Sequence, residues 1–354
     1  MKQVETERKQ VARGWWILGS SFVAMLVVLA IAALPFVQNY RAIKHFESIP
    51  GNKVVSLGGT KVVMKGPVSI TTEPGYFLKM VPVKWQDWLY ETLGEDRLLA
   101  FETVTQLYLN KPADRDEDLK YLKGFRDLKL LNLFGSQISD AGLKHLSGLT
   151  SLENLGLNKV QVSDAGLSEL SRLTNLKKLS LGDTQVTDAG LVHLETLEHL
   201  KTLNLSATKV SGVGMIHLKS LLNLTDLFLF DTQISDAGLA HLKSLLALET
   251  LYLNNTQVSD AGMSHLKGLT NLNELWLGNT QVSDAGLSYL AGLTNMECLA
   301  LDNTHVSDAG LRHLKGLVNL EILLLHGTQV TSTGVGLLEA ELPDCKIVVL
   351  SWRR

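Results

Sequence analysis

The fold is decided by LKKLSLGDTQVTDAGLVHLETL, residues 176–197, and by its near copy LETLYLNNTQVSDAGMSHLKGL, residues 248–269. The frame they share puts leucines at 109, 133, 157, 181, 205, 229, 253, 277, 301 and 325, every interval being 24 residues. One more step lands on Val349 in CKIVVLSW, an eleventh strand position. In LxxLxL, Leu179 and Leu181 alternate with Lys178 and Ser180, which is the period of a short strand with one buried face. In VSDAGLSEL the rule changes: Ser163 precedes Asp164-Ala165-Gly166, and Leu167 and Leu170 are three apart. This half predicts a capped helical or 3-10 turn, with Ser163 accepting an orphan backbone N–H and Asp164 favoured by the helix amino end.

A unit this small cannot bury its own leucines, so it must stack on copies of itself. Stacking sets strands about 4.8 Å apart in a parallel sheet, and the bulkier helical half forces curvature. The expected architecture is α/β: a curved horseshoe with a concave parallel sheet, short convex helical turns and a continuous leucine ladder. Thr184, Thr208, Thr232, Thr256, Thr280, Thr304 and Thr328 follow the strand leucines at a place where a hydroxyl can tie down the turn. Ser136 keeps that chemistry and Val160 cannot. The glycine at 142, 166, 190, 214, 238, 262, 286, 310 and 334 serves either close approach of neighbouring coils or a positive φ. Gly212 and Ser332 stand where other coils have the aspartate.

An open stack exposes leucines at both ends, so caps are expected. The first coil is irregular, with Pro112 in the threonine position and a DRDED run in place of VSDAG. Upstream, KVVSL, KVVMK, Gly58-Gly59 and a helical candidate around Trp85 and Trp88 would cover the first strand. At the other end Glu341-Leu342-Pro343-Asp344 interrupts the pattern before a last strand and polar tail.

From Gly14 to Tyr40 no residue is charged. The apolar run Trp15–Val37 would rise about 35 Å as a helix, enough to cross a bilayer core of roughly 30 Å. Lys2, Arg8, Lys9 and Arg13 precede it against Arg41 and Lys44 after it, which puts the amino terminus in the cytoplasm and the rest of the chain outside. A cleavable signal peptide is the alternative, since Ala30-Ile31-Ala32 precedes Ala33. The expected organisation is a cytoplasmic tail over 1–13, an anchor over 14–37, a linker and capping region over 38–100, repeats over 101–342 and a terminal strand with cap over 343–354.

With 33 basic against 36 acidic residues and a net charge of -3, a basic nucleic-acid module is a poor fit. Cys298 and Cys345 fall two coils apart, about 10 Å by strand spacing, beyond the reach of a disulfide. His145, His193, His217, His241, His265 and His313 share one frame position, and a file on parallel coils does not converge on one ion. The recurrent aspartates read as structural, no catalytic or phosphate-binding motif occurs, and neither cofactor nor metal is expected. Function falls to the variable strand positions. Between the strand leucines stand Tyr108, Asn132, Gly156, Ser180, Asn204, Phe228, Tyr252, Trp276, Ala300 and Leu324. Phe228, Tyr252 and Trp276 would lie on adjacent strands, bordered by Phe230 and flanked by Asp226 and Glu274. Such rings either anchor a partner or merely stack on one another.

The frame LxxLxLxxTxVSDAGLxHLxGLTN resembles leucine-rich repeat proteins, specifically the 24-residue ribonuclease-inhibitor-like class. With the anchor and the WQDWLYETLG region, the chain is similar to membrane-anchored leucine-rich repeat proteins of planctomycete-type bacteria. The resemblance implies a non-enzymatic binding scaffold and leaves the partner open: a protein on the concave face, or a cell-envelope carbohydrate or polymer on the same rings.

Overall fold

The computed structural model describes residues 62–63, 69–73, 103–109 and 115–349. Among the described residues, one sheet of 13 strands runs in chain order from β1 to β13. The strands are β1 (Val62–Val63), β2 (Ser69–Glu73), β3 (Thr103–Tyr108), β4 (Leu130–Asn132), β5 (Asn154–Gly156), β6 (Lys178–Ser180), β7 (Thr202–Asn204), β8 (Asp226–Phe228), β9 (Thr250–Tyr252), β10 (Glu274–Trp276), β11 (Cys298–Ala300), β12 (Ile322–Leu324) and β13 (Lys346–Val348). From β3 onward every pair is parallel and in register at 24 residues, as in Leu251 against Leu275 and Leu275 against Leu299. The pattern is that of a solenoid.

The period places one strand and one helical turn in each coil, and the leucines of both halves point into the same interior. Leu179, Leu181, Leu191, Leu194, Leu197 and Leu200 of one coil are all 0% exposed, and equivalent residues continue the core from Leu107 to Leu325. Each buried leucine contributes roughly 1.5–3 kcal/mol, most of it shared with the coils on either side. A second parallel ladder ties the coils where the strand side meets the helical side, as where Gln185 N–H donates to Val162 O at 2.9 Å.

At the front end, the sheet is not parallel throughout. β2 runs antiparallel to β3, and β1 antiparallel to β2, so the unpaired edge of the first coil is taken by a hairpin-like addition. Trp85, Trp88 and the expected anchor over 14–37 lie outside the described residues. No helix among the described residues is long and apolar enough to cross a membrane. At the far end, the last coil replaces the usual four-residue turn with a ten-residue helix, Ser332–Glu341, before β13. Thr331 caps it, accepting Gly334 N–H, and Leu338 seals the core while Leu337 on the other face stays 69% exposed.

Two expectations about the frame are changed by the geometry. Ser139, Thr187, Ser259, Ser283 and Ser307 cap their helical turns with their side chains as expected, whereas Ser163 does not. Its hydroxyl donates to Asp140 Oδ2 of the preceding coil at 2.6 Å, while its backbone N–H donates to Asp140 Oδ1 at 2.8 Å. The aspartate therefore acts mainly as a bridge between coils, beyond favouring its own helix end. The same bridge recurs from Asp116 to Ser139, Asp164 to Thr187, Asp188 to Ser211, Asp236 to Ser259, Asp260 to Ser283, Asp284 to Ser307 and Asp308 to Thr331. Asp116 belongs to the irregular DRDED run, which keeps the bridge although it loses the motif.

The frame glycine is explained by the same bridge. A Cβ on Gly286 would lie 2.4 Å from Asp260 Oδ1, the atom to which Gly286 N–H donates at 3.0 Å. Close approach is the reason, and positive φ is not. Positive φ falls instead on the residue before each threonine position: Gly135, Lys159, Asp183, Ala207, Asp231, Asn255, Asn279, Asn303 and Gly327. Asn, Asp and Gly hold most of these places because they tolerate the left-handed region. The threonines close the turn, each hydroxyl donating to the carbonyl three residues back, as Thr184 to Leu181 O at 2.6 Å. Ser136 does the same to Leu133 O. An amide ladder is also present, but at the entrance to the strands: Asn175, Asn223, Asn271, Asn295 and Asn319 donate to carbonyls of the preceding coil.

Candidate binding face

Because strand side chains alternate, every residue between two core leucines is delivered to the face of the sheet turned away from the core. β8, β9 and β10 thereby align Phe228, Tyr252 and Trp276 directly opposite one another. Phe228 and Tyr252 meet edge to face with ring centroids 4.9 Å apart, and Tyr252 and Trp276 are tilted by 31° at 5.0 Å. The rings do pack on each other, yet all three remain partly exposed. The row does not stop there. Ala300 on β11 stands opposite Trp276 and is fully buried, and half-buried Leu324 on β12 follows it. Four of five consecutive coils thus present partly exposed apolar groups, where β4 to β7 present Asn132, Gly156, Ser180 and Asn204. Phe230, one row over, is half-buried and makes no ring pair among the described residues.

The polar neighbours of the rings have defined partners. Tyr252 donates its hydroxyl to Glu274 Oε2 at 2.9 Å. Burial, then this hydrogen bond, pushes the phenol up from the ordinary 10.0 to about 12. Asp226 accepts from the hydroxyls of Thr202 at 2.8 Å and Thr225 at 2.9 Å, which fixes it on the β7 side of Phe228. Cys298, opposite Glu274, is half-buried, and burial followed by Glu274 raises its thiol pKa. Trp276 Nε1 is buried without a hydrogen-bond partner among the described residues. An unpaired N–H of this kind costs about 1–3 kcal/mol; Ser206 Oγ, in the file of Phe230, is likewise buried without a partner among the described residues.

Charge on this face is divided along the stack, a feature visible only when the positions flanking the strand are followed at the same period. Across β4 to β7 stand Lys129, Lys159, Lys177, Lys178 and Lys201, against Glu153 and Asp183. From Thr225 through Gly327 the face carries Asp226, Asp231, Glu249, Glu274, Glu297 and Asp302, then Glu321 at the entrance to β12, and no lysine or arginine. Glu249 and Glu297 share a polar depression with Asn271, Asn273, Asn295 and Asn319 at the entrance to the strands. Lys177 pairs with Glu153 at 2.6 Å, whereas no ion pair is formed by Glu249, Glu297 or Glu321 among the described residues.

The opposite side shows no comparable convergence. The six frame histidines are half-buried, one per coil, and among the described residues no three His, Cys, Asp or Glu side chains are grouped to hold a metal. His217 Nδ1 lies 2.7 Å from Glu195 Oε1, and burial followed by Lys144 lowers the pKa of His145. Cys298 and Cys345 are both free thiols.

Comparison with family models finds repeats in parts of the chain. The family described as Leucine Rich repeats (2 copies) matches residues 246–289, and that described as Leucine Rich repeat matches 126–147 and 172–194. No curated protein matches the chain. Among solved structures, an internalin (inlF) from Listeria monocytogenes is 19% identical, with a TM-score of 0.40 over 79% of this chain and 98% of that one. An internalin C2 (inlC2) from the same organism is 27% identical, with a TM-score of 0.43 over 66% and 84%. The structure described as PEPR1-AtPEP1 is 18% identical, with a TM-score of 0.47 over 70% and 35%. Residues 126–147, 172–194 and 246–289 are thus recognised as leucine-rich repeats.

Proposed function

We propose that this protein is a non-enzymatic binding scaffold whose open sheet face engages another protein. The observation that carries the reading is the row of partly exposed Phe228, Tyr252, Trp276 and Leu324, continued through buried Ala300, across five adjacent strands. A rigid sheet presents these groups at little ordering cost, and partly exposed aromatics are the usual anchors of an interface. The repeats belong in this reading to the bacterial 24-residue class, tethered by residues 14–37, with the amino terminus cytoplasmic and the repeats extracytoplasmic. Envelope glycan binding is the competing reading; the ring of Tyr252 with the carboxylate of Glu274 beside it is the feature that favours it.

A photo-activated cross-linking residue at position 276, with a control at the exposed position 267 on the helical side, tests the choice in the native envelope. Discrete protein adducts from 276 alone are expected. Adducts from neither position, together with glycan retention lost in Trp276→Ala, would turn the assignment to carbohydrate. For topology, a periplasmically active reporter after Arg354 should be active; activity of a cytoplasmic reporter alone reverses the orientation.

A further inference from the structure

We propose that the occupant of this face is an extended segment of a partner protein that carries lysine or arginine together with apolar side chains. The inference rests on the protein-binding reading above and specifies its chemistry. Two observations meet on the same coils. Phe228, Tyr252, Trp276, Ala300 and Leu324 form one apolar row across β8 to β12, and carboxylates stand at both ends of these strands. At the entrance to the strands stand Glu249, Glu297 and Glu321; beyond the strands, Asp231 and Asp302. No lysine or arginine lies among them, and Glu249, Glu297 and Glu321 are exposed and without ion pairs among the described residues.

The geometry suits a segment laid across the strands. Four steps of about 4.8 Å carry the row roughly 19 Å, the span of about six extended residues. An extended segment turns alternate side chains to opposite sides. Those facing the sheet fill the apolar row, and long basic side chains at its margins reach the carboxylates while keeping their stems on apolar surface. An acidic segment would meet like charge along its whole length, so the same face excludes it. The asymmetry along the stack also fixes where the segment sits, because β4 to β7 offer lysines and no apolar row.

The test uses the full chain in detergent and three dye-labelled decapeptides that alternate Lys, Gln or Glu with Leu and Phe, with binding read by fluorescence anisotropy. The lysine peptide should bind about tenfold more tightly than the glutamine peptide, the gain expected from a few partly solvated ion pairs. That advantage should shrink as salt rises from about 50 to 500 mM. The glutamate peptide should bind weakest. The combined variant Glu249→Gln, Glu297→Gln, Glu321→Gln, whose side chains hold nothing else in place, should erase the lysine advantage and leave the glutamine peptide unchanged. Trp276→Ala should weaken both.

Equal affinity for the lysine and glutamine peptides, or a lysine preference that survives the triple variant, overturns the inference. If both peptides bind equally and both are lost in Trp276→Ala, the face still binds protein and only its charge selectivity is wrong. If no peptide binds and position 276 yields no protein adduct, the binding reading falls as well. Salt-sensitive self-association of the chain without peptide, abolished by the triple variant, would assign the face to a second copy and overturn the inference.

Discussion

The helical side and the open face of the sheet are built by the same coils under opposite rules. On the helical side nearly every coil repeats one device: an aspartate that accepts from the backbone and hydroxyl of a serine or threonine 23 residues on, and a glycine that makes room for it. On the open face the residue between the two strand leucines differs from each coil to the next, from Tyr108 to Leu324. A position that recurs every coil answers a stacking problem, because its partner is the next copy of itself. What varies is left over for recognition. The contrast is sharpest between two glycines of one coil, Gly286 and Gly292. Gly286→Ala drives a Cβ into Asp260 Oδ1 and should cost about 2–3 kcal/mol in urea unfolding, as charge-assisted bonds are lost. A methyl group on Gly292 would meet nothing within 4 Å, so Gly292→Ala should be neutral or stabilise by up to about 0.5 kcal/mol.

The device fails once inside the stack. Gly212 replaces the aspartate, Ser235 makes no cap bond, and the backbones close up until a Cβ on Gly238 would lie 2.7 Å from Gly212 Cα. Gly212→Asp would return an acceptor to Ser235 at the expense of moving these backbones apart by a few tenths of an ångström. A net gain of about 1 kcal/mol is expected, with slower amide exchange in the 235–239 turn. A loss of stability instead would show that the close glycine pair is itself the preferred packing.

The variable side should respond in the reverse manner. Trp276 is partly exposed and carries an unpaired buried N–H, so Trp276→Ala forfeits ring contact with Tyr252 but also removes that mismatch. Its unfolding free energy should fall by no more than about 1 kcal/mol, while peptide binding through the face is weakened. A loss as large as that of Gly286→Ala would make the ring a packing residue and weaken the division between the two sides.

The leucine period made the solenoid legible, because a run of ten leucines at one spacing admits no other burial. The aromatic neighbours were legible for the same reason, since adjacent strands bring residues 24 apart face to face. What the chain did not reveal was where each recurrent polar residue finds its partner. Asp140 looks local to its helical turn, yet its bonds reach Ser163 in the next coil. In an exact repeat, every coil contains every residue type, so a partner in the same unit and one in the next unit read alike. The left-handed position carried a signal in its Asp, Asn and Gly content, but Lys159 and Ala207 interrupt it. The division of charge needed the flanking positions to be followed as files, and single motifs do not show it.

The smallest expected effect lies at Tyr252, and it separates two causes within the binding face. Its phenol ionises at about 12, chiefly because burial penalises the phenolate and secondarily because its proton is shared with Glu274. In the unfolded chain the same group ionises near the ordinary 10. Below that pH both states hold the proton, and stability does not depend on it. Between about 10 and 12 only the folded state keeps it, so the contribution falls as pH rises through this window. An ultraviolet difference titration against Tyr252→Phe should find one tyrosine ionising late. Glu274→Gln should bring it only part of the way back, because burial is the larger cause; a full return to 10 would mean that the ring is more open to solvent than its packing against Phe228 and Trp276 implies.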